Sequence, residues 1–136
     1  MRGSALLSAV SAGGCSAAAG GSVQNLDDIF AYDPRTRTWA LVGKLPVPSR
    51  GANGLAPGDR LLYFGGYTDK FETGVLSIEP VSGRVEAIGQ LPCGLADTRF
   101  LRVGTSIFGL TGEDGVKMRF SRTIEASLSR TSSVES

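Results

Sequence analysis

Apolar residues gather in short runs of about four, each closed by turn-forming residues. Gly51 to Ala56 is one short stretch, followed by the turn Pro57-Gly58-Asp59 and the run Leu61-Leu62-Tyr63-Phe64, which stops at Gly65-Gly66. After the loop Tyr67 to Glu72 come Val75 to Ile78, the turn Glu79-Pro80-Val81-Ser82-Gly83, and Val85 to Ile88. Runs this short, bounded by such turns, predict four β-strands. Proline presets φ, glycine supplies positive φ, and Asp or Ser bonds its own backbone. No apolar run approaches the roughly 18 residues of a membrane-spanning helix.

The pattern then repeats. Ile29-Phe30-Ala31-Tyr32-Asp33-Pro34 returns 46 residues on as Val75-Leu76-Ser77-Ile78-Glu79-Pro80, and Leu45-Pro46 returns as Leu91-Pro92. An internal period of this size marks a repeat architecture. The expected units are 1–49, 50–96 and a partial 97–128, with a polar tail at 129–136. Arg2-Gly3 aligns with Arg50-Gly51, which puts the second strand of the first unit at Ser16 to Ala19 and makes Gly20-Gly21 the counterpart of Gly65-Gly66. Ile107 to Gly112 is the second strand of the third unit, and Phe120 to Leu128 supplies one more. Paired glycines after a strand permit close backbone approach. Tyr32, Trp39, Tyr63, Phe64 and Ile78 are expected to pack between stacked sheets.

These motifs resemble the kelch family: Arg50-Gly51, Tyr63-Phe64-Gly65-Gly66, Tyr32-Asp33-Pro34, Trp39 and Leu45-Pro46. The resemblance covers about residues 2–114 and implies an all-β fold of kelch-type, four-stranded propeller blades. The second unit departs with Ile78-Glu79 and Val85, the third with Leu110-Thr111-Gly112. About two and a half blades are expected, part of a larger or multi-chain propeller, since rings close with four to eight. Open blade faces would leave apolar surface bare and favour self-association.

Composition narrows the chemistry. The chain has no histidine, two cysteines and a net charge of +1. Ser-His-Asp and Cys-His catalysis and imidazole-ligated metal sites are therefore excluded within it. Cys15 and Cys93 are read as free thiols, with a single disulfide as the alternative. No metal, cofactor or nucleic-acid partner is expected, and the basic cluster Lys117, Arg119, Arg122 reads as solvated tail. Residues 1–15 also admit a signal or lipoprotein peptide. The apolar core of about six residues is short of the roughly 7–15 expected, so the repeat reading is preferred and the compartment stays open.

In such blades the loop between strands two and three opens on the same face as the link to the next blade. That face would carry Tyr67 to Glu72, Glu113-Asp114, Pro46 to Arg50 and Cys93 to Arg99. Arg2 and Arg50 begin first strands near the channel mouth, with Arg99 or Arg102 as the third counterpart. Arg50, Arg99 and Tyr67 are the candidate ligand-binding residues, because a guanidinium fork binds carboxylate bidentately. The alternative is that each arginine pairs with an acid of the adjoining blade. The resulting reading is a binding module presenting loops to a protein or an acidic glycan. Leu45 to Gly51 also resembles the sialic acid mutarotase branch of the family, which implies a second reading, with Glu113 as acid or base. A copper-dependent sugar oxidase, another propeller relative, is contradicted by the missing histidines.

Overall fold

A computed structural model of the chain describes residues 9–17, 20–115, 118–119, 121–128 and 134–135. All regular structure among them is β. The first sheet is built on the long strand β3 (Val23–Asp33). One edge of β3 is shared by β1 (Ala9–Ala12), which pairs with Ile29 to Tyr32, and β2 (Cys15–Ala17), which pairs with Val23 to Asn25. The other edge carries β4 (Thr38–Ser49). The second sheet is a four-stranded meander of β5 (Asn53–Leu55), β6 (Leu61–Phe64), β7 (Gly74–Ile78) and β8 (Val85–Gln90). The third contains β9 (Arg99–Val103) and β10 (Ser106–Leu110), with β13 (Thr123–Leu128) and β14 (Val134–Glu135) beyond them. Its loop carries the hairpin of β11 (Glu113–Gly115) and β12 (Met118–Arg119). The fourth strand of this sheet thus falls in the stretch read as a polar tail. Arg2 and Lys117 lie outside the described residues, as do Ala18 and Ala19.

The strand register corrects the alignment of the first unit. Ala9 pairs with Tyr32 and Ala12 with Ile29, as Leu61 pairs with Ile78 and Phe64 with Val75. The second strand of the first unit is therefore Ala9 to Ala12 rather than Ser16 to Ala19, and its double glycine is Gly13-Gly14. Both pairs adopt positive φ, 71° and 111° in the first unit against 60° and 102° at Gly65-Gly66. Their hydrogen bonds also match. Gly13 and Gly14 donate to Asp28 O and Ser49 O at 3.0 and 2.8 Å, while Gly65 and Gly66 donate to Gly74 O and Leu95 O at 2.9 and 2.8 Å. Gly20-Gly21 instead serve the turn of an added β2–β3 hairpin. Ile29 follows Gly14 by 15 positions where Val75 follows Gly66 by 9, and a fixed period slides across that insert. The same shift removes the alignment of Arg2-Gly3 with Arg50-Gly51.

The double glycine is required where it stands. A Cβ on Gly65 would overlap the Leu95 carbonyl, and one on Gly66 would come 2.6 Å from Ser49 Oγ. Both contacts lie in the segments that lead into the next blade, so the pair lets the sheet end seat directly on the linker.

The middle blade is covered on both faces. Tyr63 and Ile78 pack with Ile29 and Leu45 of the first blade, while Leu62, Phe64 and Val75 pack with Leu95 and Ile107 toward the third. Phe64 stacks on Phe100 with centroids 4.1 Å apart. Two-sided burial explains why β6 is apolar at every position rather than alternating. Tyr63, Phe64 and Ile78 thus lie between sheets as expected, but Tyr32 and Trp39 do not. They contact each other at 5.2 Å on the first blade's other face, where Trp39 is 53% exposed. The wedge predicted for Trp39 needs a sheet beyond β3 and β4, and no described residue supplies one.

Candidate functional site

The residue after the second glycine position is held by the same backbone bridge in the second and third blades, while in the first it opens the added hairpin. It is Cys15 in the first, Tyr67 in the second and Glu113 in the third. Tyr67 N donates to Arg50 O at 2.6 Å and Arg50 N to Tyr67 O at 3.0 Å. Forty-six residues on, Glu113 N donates to Ala96 O at 2.8 Å and Ala96 N to Glu113 O at 2.9 Å. The third-unit counterpart of Arg50 is therefore Ala96, not Arg99 or Arg102. All three blades meet at one open cleft of about 620 Å³, lined by Cys15, Arg50, Tyr67, Phe71, Asp97 and Glu113 together with Gly14, Gly51 and Ala96.

Arg50 is positioned without an acidic partner. Its Nη1 donates to Asn25 Oδ1 at 3.2 Å, and its guanidinium carbon stands 5.1 Å from the centre of the Tyr67 ring. A cation over an aromatic face gains on the order of 0.5–1 kcal/mol at exposed sites. Tyr67 in turn meets Phe71 edge-on at 5.2 Å. Among the described residues Arg50 forms no ion pair. The pairs that do form lie elsewhere: Arg35 with Asp33, Lys44 with Asp27 and Asp28, and Arg84 with Glu86. The Arg35 guanidinium holds the Asp33 carboxyl below its ordinary range, and the two aspartates raise the Lys44 ammonium. All are solvated pairs of small energetic weight.

Asn25 organises the site, and sequence reasoning missed it. Its Nδ2 donates to Tyr67 O at 3.2 Å and Thr68 O at 2.8 Å while its Oδ1 receives Arg50. One side chain thus ties the inserted hairpin of the first blade to the loop of the second. Thr68 Oγ1 closes that loop on Glu72 Oε1 at 2.7 Å. The available signal was the six-residue insert itself, which carries Asn25 to the neighbouring mouth. Asp97 was also missed as an individual. It adopts φ of 55°, a conformation that aspartate tolerates better than most residues, and its N–H donates to Gly51 O at 2.6 Å.

Of the four candidates, Arg50, Tyr67 and Glu113 meet in the cleft and Arg99 stays outside it. Arg99 is exposed and alternates on β9 with Phe100, which packs toward the second blade, so it belongs to the opposite face. Arg102 fills the strut role. Its Nε donates to Gly104 O at 2.6 Å and its Nη1 to Pro57 O at 2.7 Å, tying the third blade to the second. Among the described residues no three His, Cys, Asp or Glu side chains are grouped to hold a metal. Both cysteines are free. No helix among the described residues is long and apolar enough to cross a membrane.

The cleft can offer a fork of donors from Arg50, an aromatic wall from Tyr67 and Phe71, and two carboxylates. Such a set fits a polar ligand with a carboxylate of its own and hydroxyls for the acidic groups. Comparison with known proteins bears on the frame that holds it. The structure of YjhT superposes with a TM-score of 0.76 at 18% identity, over 87% of this chain and 45% of that one. The chain therefore spans under half the length of that neighbour. At this identity the likeness concerns the fold. No curated protein matches the sequence. The kelch motif matches residues 11–46, from β1 into β4. With that motif in the first blade and its repeat carried on through two further sheets, the chain carries a kelch motif and folds as β-propeller blades.

Proposed function

We propose that this protein is a binding module whose cleft takes up a carboxylate-bearing glycan through Arg50, with Tyr67 and Phe71 as the apolar wall for the sugar ring. The observation that carries the reading is the state of Arg50. Its guanidinium lines the cleft, is steadied by an amide oxygen and an aromatic face, and is not consumed by a carboxylate among the described residues. A fork so held keeps donors for a bidentate contact at little further ordering cost. Titration with sialic acid and with a neutral hexose tests it. Binding of the acidic sugar should fall at least tenfold in Arg50→Lys, which keeps the charge and loses the fork. Equal binding of both sugars, or no binding of either, rejects the reading.

A second reading is favoured by the two carboxylates in the same cleft, Asp97 and Glu113. Anomer exchange of a sugar needs an acid to protonate the ring oxygen and a base to take the anomeric hydroxyl proton. The ring C–O bond then breaks, a carbonyl forms, and reclosure on its other face returns both protons. In the sialic acid mutarotase reading Glu113 serves one of these roles. Glu113→Gln should abolish any acceleration of anomer exchange followed by NMR while leaving sugar binding in place. An unchanged exchange rate would leave the binding module alone.

A further inference from the structure

We propose that Asn25 is the positioning residue that makes the cleft selective for an anion: it holds Arg50 through a neutral amide and so leaves the guanidinium's charge to the ligand. The inference rests on the reading of Arg50 as the carboxylate fork. Asn25 does not line the cleft, so it acts through its neighbours. It lies on β3 directly across from Cys15, which does line it, and the β2–β3 hairpin carries both to the mouth of the second blade.

Three hydrogen bonds fix the Asn25 side chain. Its Nδ2 spans the carbonyls of Tyr67 and Thr68 at 3.2 and 2.8 Å, and its Oδ1 accepts from Arg50 Nη1 at 3.2 Å. The position thus calls for a paired donor and an acceptor at the end of one short side chain, and the asparagine amide supplies that set. Aspartate would accept from Arg50 as well, but its second oxygen would face two carbonyl oxygens with no proton to offer them. Glutamine would place the same amide one methylene too far out.

The charge follows from the same choice of residue. Where this chain sets a carboxylate beside a guanidinium, at Asp33 and Arg35, the two close a bidentate pair. Such a pair spends the fork on the protein itself. The Asn25 amide takes a single Nη1 contact and carries no charge, and the Tyr67 ring beside the guanidinium is neutral too. Tyr67 also links the two duties of Asn25. Its ring stands against Arg50 while its carbonyl is bound by Nδ2, so losing Asn25 loosens fork and wall together.

The test titrates the full chain with sialic acid and with its methyl ester, which lacks the carboxylate charge. The wild type should favour the acid about tenfold or more, as a charge-assisted pair is favoured over a neutral contact. Asn25→Ala should weaken both sugars and keep that preference, because Arg50 stays charged but is less well ordered. Asn25→Asp should erase the preference, an outcome that a merely structural role would not produce. Amide exchange of the free protein gives a reading that needs no ligand. In both variants Thr68 and Glu72, whose N–H groups bond to Lys70 O and Gly66 O, should exchange several-fold faster. Leu62, in the core, should keep its protection and report an intact fold. A wild type that binds acid and ester alike rejects the carboxylate fork itself. A wild type that favours the acid, with the preference intact in Asn25→Asp or the loop exchange unchanged in both variants, leaves the fork standing and overturns Asn25 as its positioning residue.

Discussion

The first and second blades share a period, a double glycine and the same inter-blade hydrogen bonds, yet their energetics differ. In the second, every residue of β6 meets a neighbour, and the sequence is apolar without alternation. In the first, Ile29 and Ala31 are buried against the second blade while Trp39 and Leu41 on the other side face solvent. The repeat position of Trp39 is thus surface in the first blade and, as Val85, packed against the neighbouring blade in the second. What a repeat fixes is the face a residue points to, and whether that face is covered depends on what stands beyond it.

The largest expected effect tests that difference at one repeat position. Phe64→Ala removes a ring that is 2% exposed and stacked on Phe100, and should cost about 3–5 kcal/mol in denaturant unfolding. Leu110→Ala, its counterpart 46 residues on, should cost well under half of that, because Leu110 is only half-buried. Equal losses at both positions would mean that the third blade's outer face is packed as tightly as the seam between the second and third.

The strands and turns were legible because their signals are local: short apolar runs between glycine, proline and acidic residues. The 46-residue period likewise brought out the third and fourth strands of the first blade, since no insertion interrupts Ile29 to Leu91. The second strand was misassigned because Ala9 to Ala12 has little apolar character to announce it. Ser11 occupies the place of Tyr63, and Gly20-Gly21 offered a false partner for Gly65-Gly66. The same insert hid Asn25, whose role depends on a hairpin that only this unit has. Arg50 and Tyr67 were readable because they flank the best-preserved motif. Arg99 was placed by proximity in sequence, whereas the backbone bridge at Ala96 and Glu113 sets the true register.

Smaller effects sharpen the comparison at the seams between blades. Arg102→Ala gives up two hydrogen bonds to backbone carbonyls, one of them across the seam at Pro57. Because the side chain is exposed, a loss of about 1 kcal/mol is expected in urea unfolding. Trp39→Ala should cost less still, roughly 0.5 kcal/mol, as for exposed positions generally. A loss on the scale of Phe64→Ala would show Trp39 packed rather than exposed.

The smallest effect at neutral pH concerns Tyr63, which faces the first blade from the middle of β6. Burial pushes its phenol up from the ordinary value near 10. The folded state therefore retains a proton that the unfolded chain releases. The associated stability is complete below about pH 10 and is lost as pH rises through the higher folded value. The phenol oxygen is buried with no well-formed hydrogen bond among the described residues, the nearby Ser49 hydroxyl offsetting only part of the burial, so Tyr63→Phe should be nearly neutral at pH 7. Above pH 10 the wild type should lose stability faster than the variant, and that difference isolates Tyr63 from the other groups that titrate there. Phe64 faces the opposite seam and carries no ionisable group, so this alkaline loss belongs to the contact of the first and second blades alone. Parallel losses in wild type and Tyr63→Phe would mean that the phenolate reaches water without opening that seam. The first blade would then be more loosely seated on the second than the third is, where its matching glycine hydrogen bonds lead one to expect equal seating.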